Sequence, residues 1–204
     1  IHADAAIDAA GCAISPAAMV IRGGGVEVVD RPQAIGSIEA VVEEVQGVLL
    51  PGLVNAHAHL DLSDQGIWPP AGSDFRSWVG KVRDLRGQRT EADTAAAVRR
   101  GIDLALAGGT CLIGDIVGHP ARASIEALAA SPLQGVAWIE VFGVGRNAAQ
   151  GAAQVDAIDR AWPTDVGGIR IGLSPHAPYS CDRRVYQAAA ETGRHLSTHL
   201  AELP

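Results

Sequence analysis

The sequence lacks any excess of positive charge: its 204 residues carry 16 lysines and arginines against 23 aspartates and glutamates, for a net charge of -7. Proteins that bind nucleic acid or an anionic membrane surface need clustered basic residues. We therefore expect neither nucleic acid nor a membrane among the partners of this protein.

Cysteines and long apolar runs are also scarce. The three cysteines, Cys12, Cys111 and Cys181, lie far apart and form no Cys-x-x-Cys pair, which argues against a disulfide scaffold or a zinc ribbon. This usage favours a reducing cytoplasm. No apolar run approaches the roughly 20 residues that cross a bilayer, although 48% of the residues are apolar. The composition therefore predicts a globular chain with a sizeable core.

The pattern of the chain changes near Gly47. Residues 1–47 are rich in Ala, Gly and Val, with short β-branched runs between Gly and Pro, which predict short strands and tight turns. From residue 48, buried strands alternate with amphipathic helices, as βα units do around a parallel sheet. The predicted strands are 48–56, 110–117, 135–143, 168–174 and 195–200. The predicted helices are 74–85, 91–108, 121–130, 148–162 and 183–193.

The strongest chemical signal is a His-x-His pair at the end of the first predicted strand. Side chains alternate between the two faces of a strand, so His57 and His59 point the same way and can present two imidazole nitrogens to one metal ion. A lone His-x-His is more often a pair of polar residues satisfied by backbone or water. Here the preceding apolar strand and the histidines at later strand ends favour a metal site.

A third histidine closes the fifth predicted strand, in the segment Ser197 to Glu202. His199 can supply a third neutral nitrogen, and three protein nitrogens with an open position are typical of a catalytic metal site. Glu202 follows three residues later, where it could carry protons between an activated water and a leaving group. Its alternative interpretation is an ordinary solvated carboxylate.

Two further strand ends carry side chains that we assign to substrate binding. Flanking prolines fix the backbone around His176, which suits a side chain aimed at a substrate rather than at a metal. Glu140 lies near the end of the third predicted strand, where a carboxylate can grip a substrate or orient a histidine. A purely structural role stays equally open for Glu140, Asp115 and Asp61.

Taken in order, the segments PGLVNAHAHL, GTCLIGD, SPHAPYS and STHLAE resemble the amidohydrolase superfamily. The likeness is greatest to its cytosine deaminase-like branch, which includes S-adenosylhomocysteine, guanine, chlorotriazine and aminodeoxyfutalosine hydrolases. The segment HLDLS, Trp68 and residues 75–78 resemble the aminodeoxyfutalosine group in particular.

This resemblance implies an α/β fold. Residues 1–47 would form the N-terminal part of a composite β-sandwich, and residues 48–204 would form strands 1 to 5 of a partial TIM-type (β/α)8 barrel. A complete barrel typically takes about 250 residues. We therefore expect the chain to be a fragment or a truncated copy, cut after strand 5.

The resemblance also implies roles for the site residues. His57, His59 and His199 would hold one divalent metal, with zinc favoured and iron as the alternative, while His176 contacts the substrate and Glu202 shuttles protons. Other branches bridge two metals with a carboxylated lysine on the fourth strand. The single lysine, Lys81, lies in a predicted helix, which favours a mononuclear site. The family's histidine after strand 6 and aspartate after strand 8 fall beyond the five predicted strands.

The reaction predicted from these parts is hydrolysis of a carbon–nitrogen bond. A metal-bound hydroxide would attack a carbon that carries an amino group and deaminate a purine nucleoside derivative or another nitrogen heterocycle. One alternative keeps the metal site but cleaves an amide or a ring halide. Another is an inactive barrel fragment that needs its missing C-terminal half. We expect a small-molecule substrate, a cytoplasmic location and, by analogy, a homo-oligomer.

Overall fold

A computed structural model describes residues 1–66 and 74–202. The chain divides into two compact units, Ile1–Gly52 and Leu53–Pro204. Trp68, one of the residues behind the subfamily resemblance, lies outside the described residues. Within the described ranges, no helix combines the length and the apolar character that crossing a membrane requires.

The first unit contains a single five-stranded sheet. Strand β1 pairs with β2 and β3 in antiparallel fashion and with β5 in parallel, and β3 continues into β4 as a hairpin. Gly23 and Gly24 form the hairpin turn with φ of 59° and 81°, a left-handed backbone that favours glycine. The elements are β1 His2–Ile7, β2 Ala13–Ile14, β3 Ala17–Arg22, β4 Gly25–Asp30, the short helix α1 Pro32–Ile35 and β5 Glu44–Leu49. Its membership of a composite sandwich stays a prediction.

The second unit is built from βα units around a mainly parallel sheet. Its strands run in the order β6-β7-β8-β10-β9, in which the first four are parallel and β9 is antiparallel to β10. The strands are β6 Leu53–Ala58, β7 Thr110–Val117, β8 Gln134–Val141, β9 Asp165–Val166 and β10 Ile169–Pro175. The helices are α2 Phe75–Gln88, α3 Glu91–Ala107, α4 Ala121–Ala129, α5 Ala148–Ala161 and α6 Arg183–Glu191. This is the expected partial barrel.

The core of this unit lies between the sheet and the helices that connect its strands. Alternate side chains of β7, β8 and β10, such as Ile113, Ile139 and Leu173, are fully buried there against residues of the helices, including Val98 and Ile125. The opposite face of the same strands carries Glu140 and the polar groups of the candidate site. Because the two faces alternate along each strand, packing of the core fixes the direction of the functional side chains.

Two predicted strands differ from the structure. The predicted strand 48–56 is divided between β5 and β6, and Pro51 and Gly52 lie between the two. Pro51 has no backbone N–H to donate to a sheet, which accounts for the interruption. The predicted strand 195–200 is reduced to one parallel bridge, in which Leu173 and Leu196 pair. The backbone there still runs beside β10, because Leu173 donates to His195 and Ser197 donates to Leu173.

Trp138 fills the inner face of the sheet one layer below Glu140. It has a glycine on each neighbouring strand, Gly114 on β7 and Gly172 on β10. A Cβ atom at Gly114 would lie 2.3 Å from the indole, and one at Gly172 would lie 2.5 Å from it. Both glycines therefore leave the space that this large ring occupies.

Candidate metal centre and substrate pocket

Three histidines meet at the carboxyl ends of the strands. His57 is the last residue but one of β6, His59 directly follows that strand, and His199 comes from the segment beside β10. Their ring centroids are separated by 5.2 Å for His57 and His59, 4.9 Å for His57 and His199, and 5.5 Å for His59 and His199. One potential ligand atom from each lies within 4.8 Å of the other two. The spacing suits a single cation coordinated by all three, and the assignment of ligands stays a prediction.

The electrostatic surroundings favour the neutral form of His57 and His59, which is the form that binds a metal. Burial, reinforced by the positive charge of Arg86, lowers the pKa of His59 to about 3. Burial and repulsion from His199 lower the pKa of His57 as well. His199 donates from Nδ1 to the carbonyl of His176 over 3.0 Å, which leaves Nε2 with the free lone pair. The donor set therefore fits a divalent metal.

His176 and Glu140 stand next to this centre. The His176 ring lies 4.8 Å from the His199 ring, centroid to centroid, and its Nδ1 is 2.8 Å from the hydroxyl of Ser180. Its Nε2 lies 3.8 Å from Oε1 of Glu140, a side chain with only 1% exposure. The structure thus brings both predicted substrate residues to the same end of the sheet as the three histidines.

Glu202 also faces this region, and Tyr179 holds it there. The Tyr179 hydroxyl donates to Oε2 of Glu202. The aromatic ring of Tyr179 lies 5.7 Å from the ring of His176 in an edge-on arrangement. A carboxylate in this position can exchange a proton with a group bound beside His176 and His199.

A cavity of about 510 Å³ opens over these groups, a volume within the range of small-molecule sites. Its other wall is the apolar face of α2, where Phe75, Trp78, Val79 and Val82 follow helical spacing. It is lined by His59, Leu62, Phe75, Trp78, Val79, Val82, Arg83, Arg86, Gly118, His119, Glu140, Phe142, His176, Tyr179, Ser180, His199 and Glu202. Aromatic and aliphatic walls with a few polar groups at one end suit a flat heterocycle.

Arg86 is the functional candidate that sequence reasoning missed. Its guanidinium donates to both carboxylate oxygens of Asp61, over 2.7 and 3.1 Å, and to Oε2 of Glu140 over 2.9 Å. Its Nη2 also lies 3.4 Å from Nδ1 of His59. The signal was present in the sequence, because Arg86 falls four residues after Val82 on the otherwise apolar face of α2.

Asp115 binds the backbone next to the candidate metal ligands. Its carboxyl group has 1% exposure and accepts a hydrogen bond from the backbone N–H of Leu60 over 2.9 Å. Burial is the main cause that raises its pKa to about 7, with a further contribution from the negative charge of Asp61. The geometry gives Asp115 a structural task, which is to hold the turn that follows His59.

Acid should destabilise the metal-free protein through His59. Its pKa is 6.5 when unfolded and about 3 when folded, so the unfolded state binds more protons within this window. The contribution of neutral His59 to the free energy of unfolding is complete above pH 6.5. It is lost as the pH falls toward 3, at about 1.4 kcal/mol per pH unit. In a His59→Gln variant, we expect the free energy of unfolding, measured with urea, to depend less steeply on pH in this window, by about this amount.

Asp115 acts with the opposite sign, since its raised pKa contributes stability at low pH that is lost as the pH rises through about 7. The comparison between the wild type and His59→Gln cancels this effect, because both proteins retain Asp115. Equal slopes for the two proteins would contradict the environment assigned to His59.

Residues 48–204 match the amidohydrolase family, and the chain belongs to this family. It is 31% identical to an aminodeoxyfutalosine deaminase of Deinococcus radiodurans, over 95% of this chain and 47% of the relative. It is 29% identical to an adenosine deaminase of Helicobacter pylori, over 76% of this chain and 38% of the relative. The chain thus spans about half the length, or less, of these curated relatives.

Solved structures show the same fold. The aminofutalosine deaminase of Helicobacter pylori, in complex with methylthio-coformycin, superimposes with a TM-score of 0.75 at 22% identity, over 98% of this chain and 50% of that one. The atrazine chlorohydrolase of Arthrobacter aurescens, complexed with zinc, gives a TM-score of 0.73 at 18% identity, over 98% and 51%. At these identities the likenesses show that the fold is shared.

Proposed function

We propose that the protein containing this chain is a metal-dependent hydrolase that deaminates an adenosine-type nucleoside derivative. The observation that carries the proposal is the convergence of His57, His59 and His199 beside Glu202 at one end of an aromatic cavity. The curated relatives named above act on adenosine derivatives, which supports this substrate class.

His57, His59 and His199 would hold the metal. A bound divalent metal supplies Lewis-acid activation of water near neutral pH. Glu202 would accept a proton from water and return it to the departing amino group, so that ammonia leaves as a neutral molecule. Tyr179 keeps the Glu202 carboxylate in place for both transfers.

The remaining residues orient the substrate. The face of α2 with Phe75 and Trp78, together with Phe142 on the other side, offers flat apolar surfaces for a purine ring. Glu140 and His176 lie at the inner end of the cavity, where they can hydrogen-bond to ring nitrogens. Displacement of a ring halide is the second candidate reaction, because the fold is shared with a chlorohydrolase that acts on atrazine.

The test is a substrate screen with the full-length protein loaded with zinc. Adenosine, S-adenosylhomocysteine and aminodeoxyfutalosine are incubated in parallel with atrazine, and ammonia and chloride release are measured. We expect ammonia release from one or more of the nucleosides. Chloride release from atrazine alone would favour the second candidate, and neither product from a metal-loaded, folded protein would refute the proposed hydrolase.

Three finer statements stay predictions within this proposal. Zinc is the favoured metal because the chlorohydrolase structure contains it. A cytoplasmic location rests on the separated cysteines, two of which, Cys12 and Cys111, are exposed and free. Formation of a homo-oligomer rests on analogy alone.

A further inference from the structure

Two sets of potential metal ligands overlap at His199. One set is His57, His59 and His199, and the other is Glu140, His176 and His199. In each set the ligand atoms lie within 4.8 Å of one another. His199 uses Nδ1 to donate to the carbonyl of His176, so only its Nε2 can coordinate a cation. The two sets therefore compete for one nitrogen, and some feature of the site must decide between them.

The feature that distinguishes the two sets is the charge on Glu140. Arg86 donates to its Oε2 over 2.9 Å, and the exposed fractions of the two side chains are 18% for Arg86 and 1% for Glu140. Water screens so buried a pair only weakly. A carboxylate that is already neutralised by a guanidinium attracts a divalent cation less than a free carboxylate does. The set that contains Glu140 is thereby weakened. In the three-histidine set Arg86 approaches only Nδ1 of His59, at the longer distance of 3.4 Å, and it neutralises no ligand charge there.

The fold holds the guanidinium in this position from two sides. Asp61 accepts from Nε and Nη2 of Arg86 in a two-pronged contact that fixes the plane of the group. On the other side, Gly118 at the end of β7 leaves room for it. A Cβ atom at Gly118 would lie 2.7 Å from Cζ of Arg86.

We propose that Arg86 decides which of the two overlapping sets holds the metal. By pairing with Glu140 it directs the cation to His57, His59 and His199, and it leaves Glu140 and His176 to the substrate. Arg86 is thus a positioning residue that acts through Glu140. The inference rests on the proposed function only in that both place a metal at these histidines.

The test measures zinc affinity of the metal-free, full-length protein by competition with a chelating dye. Glu140→Gln alone should leave the affinity nearly unchanged, because Glu140 is not a ligand while Arg86 is present. In an Arg86→Met background the carboxylate is released and can bind the metal. Adding Glu140→Gln there should lower zinc affinity by about tenfold or more relative to Arg86→Met alone. This change in dependence on Glu140 is a readout that packing alone would not produce.

Arg86→Lys retains the positive charge. In this background, adding Glu140→Gln should again leave zinc affinity nearly unchanged. Arg76→Met, an exposed change on the same helix, should leave zinc affinity and its independence of Glu140 unchanged. If Arg86→Met fails to fold, Gly118→Ala displaces the guanidinium without removing it and should make the affinity depend in part on Glu140.

Two results would overturn the inference. One is a tenfold or greater loss of zinc affinity in Glu140→Gln with Arg86 intact, which would make Glu140 a ligand. The other is a zinc affinity that Glu140→Gln leaves unchanged in both the Arg86→Met and the Gly118→Ala backgrounds. Since no substrate is used, a negative substrate screen with normal zinc binding would refute the proposed reaction and leave this inference standing.

Discussion

Loss of bound metal and of all hydrolase activity is expected for the double variant His57→Ala, His59→Ala. Each of these side chains contributes one of three potential ligand atoms that lie within 4.8 Å of one another. The one remaining histidine cannot hold a divalent cation against dialysis. Plasma emission spectroscopy should find about one equivalent of metal in the wild type and only background in the variant. Activity should fall to the same background.

A matched control removes two histidines that lie away from the centre. His2 pairs with Glu44 in the first unit, and His195 contacts Arg170, both at exposed positions. A His2→Ala, His195→Ala variant should retain its metal and its activity. One full equivalent of metal in the His57→Ala, His59→Ala variant, with an unchanged far-ultraviolet spectrum, would contradict the assignment of the ligands.

The second large effect is expected from Glu202→Gln. The amide keeps the shape of the side chain and can still contact the Tyr179 hydroxyl, but it cannot take up and release a proton. We expect kcat to fall by about 10²- to 10⁴-fold, the range for loss of a general acid–base group. Zinc content should be unchanged, since Glu202 belongs to neither set of ligands.

Tyr179→Phe provides the graded comparison. It leaves Glu202 ionisable but removes the hydroxyl that holds it, so kcat should fall less than in Glu202→Gln. Glu191→Gln, at the exposed end of α6, serves as the control for the loss of one carboxylate. Equal activity of Glu202→Gln and the wild type would exclude Glu202 as the proton carrier.

The sequence was sufficient to predict which side chains converge. His57, Glu140, His176 and His199 all lie near strand ends, and parallel strands bring their carboxyl ends to one edge of the sheet. The five predicted helices of the barrel unit were also observed, with bounds that differ by a few residues. Both predictions rest on periodicity and strand order, which are local properties of the chain.

Other features depend on tertiary contacts that no local pattern records. The segment 195–200 has the apolar residues of a strand, but its pairing beside β10 is limited to one bridge. The partners of Arg86 come from two separate parts of the barrel unit, because Asp61 and Glu140 lie 25 and 54 residues away in the sequence. Its position on an apolar helix face indicated burial, and only the fold shows which carboxylates it meets.

The packing of Trp138 between Gly114 and Gly172 constrains the order in which these positions can change during evolution. A Cβ atom at Gly114 would lie 2.3 Å from the indole and 2.4 Å from the carbonyl oxygen of Ala56, and one at Gly172 would lie 2.5 Å from the indole and 2.7 Å from the carbonyl oxygen of His195. A smaller residue at Trp138 therefore leaves a void, which is costly, and still makes no room for a side chain at either glycine, because the backbone contacts remain. The two glycines should consequently tolerate change less well than the tryptophan does, and a substitution at Trp138 has to come before any change at the glycines.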